Sequence, residues 1–262
     1  MANQDHSKAA LEFKRLLEIM DRLREECPWD RKQTNQTLRT LSIEETFELS
    51  EAILSNDDQE IKKELGDLLL HIAFYSKIGS EKGSFDMADV IGSICEKLIH
   101  RHPHIYGDVV VKDENEVKRN WEKLKLKEKG RTSVLDGVPK GLTGLLKAYR
   151  LQEKAAGVGF DWEKPEDVWN KVNEELHEWK EAIDQGDSAK MEEELGDLIF
   201  AMVNYTRFID LNPEDALERS NRKFIKRFQY IEEQAAKQGQ GIGDMTIDEM
   251  EVHYRQAKKK GL

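Results

Sequence analysis

The chain has 262 residues, of which 35% are charged, and a formal net charge of −11. This acidic balance argues against a nucleic-acid partner, because general nucleic-acid binders carry a basic surface. No apolar run is long enough to span a membrane, and the polar start, Met1 to Leu11, has no signal-peptide core. Cys27 and Cys95 show neither metal-ligand nor disulfide spacing. We expect a cytoplasmic protein with no membrane partner and with two modest domains.

Apolar residues at helical spacing, few alternating β-branched residues and only five prolines indicate an all-α protein. Pro28 ends the first predicted helix. The next helices are predicted at about 37–54, 57–79, 86–100 and 114–127.

Glycines and prolines between 128 and 144 then mark the best domain boundary. They divide the chain into an N-terminal domain at 1–128, a linker at 129–144 and a C-terminal domain at 145–262. The second domain is predicted to contain helices at about 142–154 and 188–209, and others that begin at Pro165, Pro213 and Thr246.

An acidic pattern on two neighbouring predicted helices occurs twice, and the two copies are 130 positions apart. The first copy is Glu44-Glu45-Thr46-Phe47-Glu48 with Glu64-Leu65-Gly66-Asp67, and the second is Glu174-Glu175-Leu176-His177-Glu178 with Glu194-Leu195-Gly196-Asp197. We therefore predict two tandem, repeated helical-bundle domains. A mid-helix glycine costs roughly 1 kcal/mol relative to alanine, so Gly66 and Gly196 indicate close packing or ligand access.

The spacing of these acids places them in pairs, because residues three and four apart share a helix face. A short connection makes the two helices antiparallel neighbours, so the pairs from both helices converge. Converging carboxylates repel one another unless a cation lies among them, and all-oxygen ligation suits Mg²⁺ or Mn²⁺. The alternative is a solvated acidic face, which is common in a chain this rich in glutamate.

These motifs resemble the signature of the MazG family of all-α nucleoside triphosphate pyrophosphohydrolases, and the resemblance covers the whole chain. Four further stretches support it: Glu26-Cys27-Pro28-Trp29-Asp30, Arg101-His102-Pro103-His104, Leu135-Asp136-Gly137-Val138-Pro139 and Val158-Gly159-Phe160-Asp161-Trp162. The resemblance implies hydrolysis of a nucleoside triphosphate between its α and β phosphates, which yields a monophosphate and pyrophosphate. It also implies Mg²⁺, a homodimer, and a role in removing unwanted or signalling nucleotides.

Under this resemblance the C-terminal domain is the main catalytic unit. Its metal ligands are expected to be Glu175, Glu178, Glu194 and Asp197, and Glu174 is expected to orient or deprotonate the attacking water. The equivalent residues of the first domain form a possible second metal site: Glu45, Glu48, Glu64 and Asp67.

Lys223 and Arg227 lie four residues apart and therefore share a helix face, where they are candidates to neutralise the phosphates. A solvated basic face explains them equally well. Trp162, Phe160 and Tyr254 are candidates for the base slot, although aromatic side chains are more often part of a core. Family members tend to have an aromatic residue near position 254, which supports Tyr254.

Two other classes of protein remain open. A di-iron bundle uses Glu-x-x-His pairs, and Glu174-x-x-His177 has that spacing once, but its counterpart in the first copy ends in Phe47. A non-catalytic nucleotide-binding or scaffold protein would be favoured by the loss of an acidic position, and neither copy has lost one.

Overall fold

The computed structural model describes residues 6–113, 116–117, 120–121, 124 and 133–262. These residues are mainly helical and contain no β-strand, which confirms the all-α prediction. No helix among them has the length and apolar character needed to cross a membrane. The helix predicted at about 114–127 lies largely outside the described residues. The chain forms two compact units, Met1–Val110 and Val111–Leu262.

Unit 1 is built around a hairpin of two long helices. Its helices are α1 (Ser7–Glu26), α2 (Asn35–Ser55), α3 (Asp58–Glu81), α4 (Met87–Arg101) and the single turn α5 (Pro103–Tyr106), with a 3₁₀ turn at Asp30–Lys32. Met20, Leu38, Phe74 and Ile78, from α1, α2 and α3, form its buried apolar cluster.

Unit 2 repeats the hairpin and adds a second helix pair. Its helices are α6 (Gly144–Ala156), α7 (Pro165–Gln185), α8 (Ser188–Phe208), α9 (Pro213–Lys237) and α10 (Ile247–Lys259), with a 3₁₀ turn at Ile242–Asp244. One buried cluster, of Val172, Leu198 and Ala201, joins α7 to α8. Another, of Ile231, Ala235 and Met245, lies where α9 packs against the segment before α10.

The same two-residue connection closes the hairpin in both units. Asn56 and Gly186 end their helices in the left-handed conformation, with φ of 54° and 69°. The next residue, Asp57 or Asp187, caps the following helix by accepting hydrogen bonds from two backbone N–H groups at 3.0–3.2 Å. Such caps stabilise a helix by about 1 kcal/mol, so the turn fixes the antiparallel pairing that brings the acidic residues together.

The boundary between the two units falls between Val110 and Val111, whereas the sequence predicted a linker at 129–144. Lys154 is buried in α6, and its Nζ donates to the backbone carbonyls of Val134 and Asp136, both at 3.2 Å. Residues 133–144, the described part of the predicted linker, therefore belong to unit 2 and are bound to α6 through Lys154. The earlier part lies outside the described residues, where the linker stays a prediction.

Candidate active site

The acidic residues of unit 2 converge as their spacing requires. Glu174, Glu175 and Glu178 each offer a carboxylate oxygen, and the three oxygens lie within 4.8 Å of one another. Glu175, Glu194 and Asp197 form a second group within the same limit. Glu175 belongs to both groups and is only 6% exposed, so it is the centre of the cluster.

Two basic side chains partly neutralise this cluster. Lys171 Nζ lies 2.6 Å from Glu174 Oε1 and 2.7 Å from Glu175 Oε1, and Lys190 Nζ lies 4.0 Å from Glu194 Oε1. The hydrogen bonds to these two carboxylates raise the pKa of Lys171. Burial, and then the negative charges of Glu175 and Glu194, raise the pKa of Glu178. Since two lysines do not balance this set of five carboxylates, the donor set fits a hard divalent cation.

A cavity of about 650 Å³ opens beside the cluster, a size that suits a small-molecule ligand. Its charged lining residues are Lys171, Glu175 and Asp197 at the acidic cluster, together with Asp161 and Arg207. Its apolar wall consists of Leu135, Leu151, Ala155, Phe160, Trp162, Phe200 and Ala201. With a divalent cation held at the acidic cluster, the cavity would suit a ligand with one polyanionic end and one flat apolar end.

An ion pair holds the aromatic part of this wall in place. Arg207 on α8 donates two hydrogen bonds to the carboxylate of Asp161, one of them at 2.9 Å from Nη1 to Oδ2. Asp161 directly precedes Trp162 and follows Phe160, both of which line the cavity. The pair thus ties the loop between α6 and α7 to α8. Trp162 and Phe160, two of the candidates for the base slot, line the cavity, and their role in binding stays a prediction.

The other predicted substrate-binding residues lie elsewhere in unit 2. Arg227 Nε donates to the backbone oxygen of Leu262 at 2.8 Å, and its guanidinium carbon lies 5.4 Å from the centre of the Tyr254 ring. Lys223 is exposed on α9. None of the three lines the cavity, so their contact with phosphates stays a prediction.

The first copy of the motif forms a smaller cluster. Glu45, Glu48 and Glu64 have carboxylate oxygens within 4.8 Å of one another. Asp67 is outside this group, although its charge, after the larger effect of burial, raises the pKa of Glu45. Glu64 is 2% exposed; its Oε1 accepts from Lys63 at 2.9 Å, and its Oε2 has no hydrogen-bond partner among the described residues.

In unit 1, large buried side chains stand at positions equivalent to two that line the cavity of unit 2. Ala201 and Asn204 line that cavity, and the residues 130 positions earlier are the buried His71 and Phe74. His71 Nδ1 is hydrogen-bonded to Ser42 Oγ at 3.1 Å, and burial lowers the pKa of His71. The two acidic clusters therefore share a motif but have different surroundings.

The mid-helix glycines do not serve close packing within either unit. A Cβ atom added at Gly66 or Gly196 would meet no atom within 4 Å among the described residues. Packing within a unit therefore does not explain these glycines, which leave open space beside the acidic residues.

Comparison with known proteins places the chain in a family. The MazG nucleotide pyrophosphohydrolase domain matches residues 33–106 and 163–231, and each match contains one copy of the acidic motif. The chain belongs to the MazG family of nucleotide pyrophosphohydrolases, as its motifs predicted.

Similar proteins extend over nearly the whole chain. The nucleoside triphosphate pyrophosphohydrolase/pyrophosphatase MazG of Thermotoga maritima is 42% identical over 255 residues, which cover 96% of this chain and 97% of that protein. The nucleoside triphosphate pyrophosphohydrolase of Escherichia coli K12 is 39% identical over 254 residues, covering 94% and 97%. The uncharacterised protein YabN of Bacillus subtilis is 45% identical over 236 residues, covering 89% of this chain and 48% of that protein.

Proposed function

We propose that the protein is a Mg²⁺-dependent nucleoside triphosphate pyrophosphohydrolase that cleaves between the α and β phosphates, and that unit 2 carries the activity. The observation that carries the proposal is the cavity in which Glu175 and Asp197 meet an apolar wall. This arrangement suits a nucleotide, because the base can enter the apolar part while the triphosphate reaches the acidic cluster. The similar nucleoside triphosphate pyrophosphohydrolases of Thermotoga maritima and Escherichia coli support the same reaction.

Glu175, Glu178, Glu194 and Asp197 would hold the cation, with Mn²⁺ as an alternative to Mg²⁺. When bound, a divalent cation offsets the charge of the triphosphate, polarises a phosphoryl oxygen and lowers the pKa of a water molecule. Without such a cation the acidic cluster would repel the triphosphate.

Glu174 is the proposed general base. Its side chain is 57% exposed, so water reaches it, and its carboxylate lies within 4.8 Å of both Glu175 and Glu178. It takes a proton from the attacking water as the water oxygen bonds to phosphorus and the α–β phosphoanhydride bond breaks. Pyrophosphate and a nucleoside monophosphate are released. Lys171, which lines the cavity, contributes positive charge beside the phosphates.

Unit 1 is proposed to support assembly and to hold a second cation at Glu45, Glu48, Glu64 and Asp67. The buried Phe74 and His71 occupy the positions that border the cavity in unit 2, so a nucleotide has less room beside this cluster.

A homodimer is proposed because α9 leaves apolar side chains exposed, among them Phe224 at 56% and Ile225 at 52%. Static light scattering at micromolar concentration checks this proposal, and a monomer mass would contradict it.

The proposed role is the removal of non-canonical or regulatory nucleotides. The test is a panel of ribo- and deoxynucleoside triphosphates, extended to oxidised and deaminated bases and incubated with Mg²⁺, with Mn²⁺ or with a chelator. We expect equal amounts of monophosphate and pyrophosphate, and none with the chelator. Orthophosphate as the first product, or undiminished turnover with the chelator, would contradict the proposal.

A further inference from the structure

One side chain in the cavity wall has an unused hydrogen-bonding atom. Gln152 lies on α6, lines the cavity and is 7% exposed. Its Nε2 donates to the backbone carbonyl of Phe200 on α8 at 2.8 Å. Its Oε1 is buried and accepts no hydrogen bond from any described residue.

The contact with Phe200 fixes which way the amide of Gln152 points. A backbone carbonyl only accepts hydrogen bonds, so the NH₂ group must face it and the oxygen must point away. A buried acceptor without a partner is costly, and such atoms are uncommon in folded proteins. The protein therefore holds an oriented, desolvated acceptor in the wall of the cavity.

A buried hydrogen-bond donor without a partner also belongs to a residue that lines the cavity. Arg207 uses its two terminal nitrogens to bind Asp161, and one of them also bonds Asn204, whereas its buried Nε has no partner among the described residues. An N–H group of a ligand would satisfy Gln152 Oε1, and an acceptor of a ligand would satisfy Arg207 Nε. Nucleobases carry groups of both kinds.

We propose that Gln152 is a specificity-determining residue, whose Oε1 accepts a hydrogen bond from an N–H group on the base of the bound nucleotide. This inference rests on the proposed function and goes beyond it, because it states what the base must offer. Sites built to bind a polar group discriminate strongly against analogues that lack it, because the group in the protein is then left unpaired. A base without the donor should therefore be a poor substrate even when its shape is unchanged.

The test compares nucleotide pairs that differ mainly in this donor. The pairs are ATP with purine riboside triphosphate, and CTP with pyrimidin-2-one riboside triphosphate. In the wild type, kcat/KM for the best-used pair should favour the donor-bearing member by about tenfold or more. Gln152→Met, which has similar length but no acceptor of comparable strength, should reduce this ratio to within about twofold.

Phe160→Leu is the matched control, because Phe160 lines the same cavity without a polar atom. It should lower kcat/KM for both members of a pair alike and leave their ratio unchanged. A wild-type ratio within about twofold for every pair would overturn the inference, and this result does not depend on any variant folding. A ratio that persists in Gln152→Met would also overturn it.

The same ratios are measured as Kd by calorimetry with the same nucleotides, so that failure of the activity and failure of the inference can be told apart. Absence of pyrophosphate release together with a Kd ratio of tenfold or more that disappears in Gln152→Met would refute the proposed function and support the role of Gln152. Pyrophosphate release with no discrimination in kcat/KM or Kd would support the proposed function and refute the role of Gln152.

Discussion

Removal of Asp161 should loosen the aromatic wall of the cavity. In the native protein Arg207 binds Asp161 through both terminal nitrogens, a bidentate geometry that is stronger than a single contact. The Arg207 side chain is 15% exposed and that of Asp161 is 27% exposed, so water screens this pair only in part. Asp161→Ala leaves a largely shielded guanidinium with the hydrogen bond to Asn204 at 3.0 Å.

The size of the effect follows from these contacts. A hydrogen bond to a charged group contributes about 1.5–3 kcal/mol, and an exposed ion pair contributes less than about 1 kcal/mol. Because this pair is partly exposed and Asn204 remains as a partner, we expect Asp161→Ala to lower the free energy of unfolding by about 2 kcal/mol. This corresponds to roughly a 30-fold change in the folding equilibrium.

The assay is a double-mutant cycle in urea, with Asp161→Ala, Arg207→Met and the combined variant. The coupling energy should be about 2 kcal/mol. Arg255 and Glu251 on α10 provide the matched control, since their side chains are 70% and 55% exposed and their contact is 2.8 Å. Their coupling should stay below about 0.5 kcal/mol. A coupling at Asp161 and Arg207 no larger than this control would refute the reasoning.

Three further predictions concern other parts of the chain. The hydrogen bond from Arg24 lowers the pKa of Glu81, so this pair stabilises the protein above the ordinary glutamate pKa of about 4.3, and its contribution is lost as the pH falls through the lowered pKa. Arg24→Met should therefore lower the urea midpoint more at pH 7 than at acidic pH, where only the loss of its hydrogen bonds to the backbone carbonyls of Asp30 and Gln33 remains, and an equal loss at both would contradict this. Gly196→Ala and Gly66→Ala should each raise the free energy of unfolding by up to about 1 kcal/mol. Only Gly196→Ala should reduce pyrophosphate release. Equal activity in the two variants would contradict the role of Gly196 in ligand access. Lys154→Met should lower the urea midpoint and raise KM with little change in kcat, because the segment that the lysine holds contributes to the cavity wall; an unchanged KM would contradict this.

Local rules were sufficient to predict the helical hairpins and the convergence of their acids. Residues three and four apart on a helix share a face whatever surrounds them, so the grouping of Glu174, Glu175 and Glu178 follows from spacing alone. The Asn-Asp and Gly-Asp turns likewise have fixed backbone preferences. Lys171 was missed, although its position four residues before Glu175 on the same helix was a usable signal.

The cavity could not be predicted, because its wall joins residues that are far apart in the sequence. Gln152 meets the backbone of Phe200 across 48 positions, and Arg207 meets Asp161 across 46. No helical spacing encodes such contacts, which depend on how α6 and the following loop pack against α8. The repeat does not reveal a difference between the units, because the same acidic residues occur in both. Unit 1 has His71 at the position equivalent to Ala201 of unit 2.

The central claim is that unit 2 hydrolyses the triphosphate at its acidic cluster, and a matched pair of substitutions tests it most directly. Glu175→Gln and Glu45→Gln change equivalent positions of the two motifs by the same atoms. Pyrophosphate release with Mg²⁺ should fall by about 100-fold or more in Glu175→Gln and by less than about threefold in Glu45→Gln. Loss confined to Glu45→Gln, or equal loss in both, would contradict the assignment of the activity to unit 2.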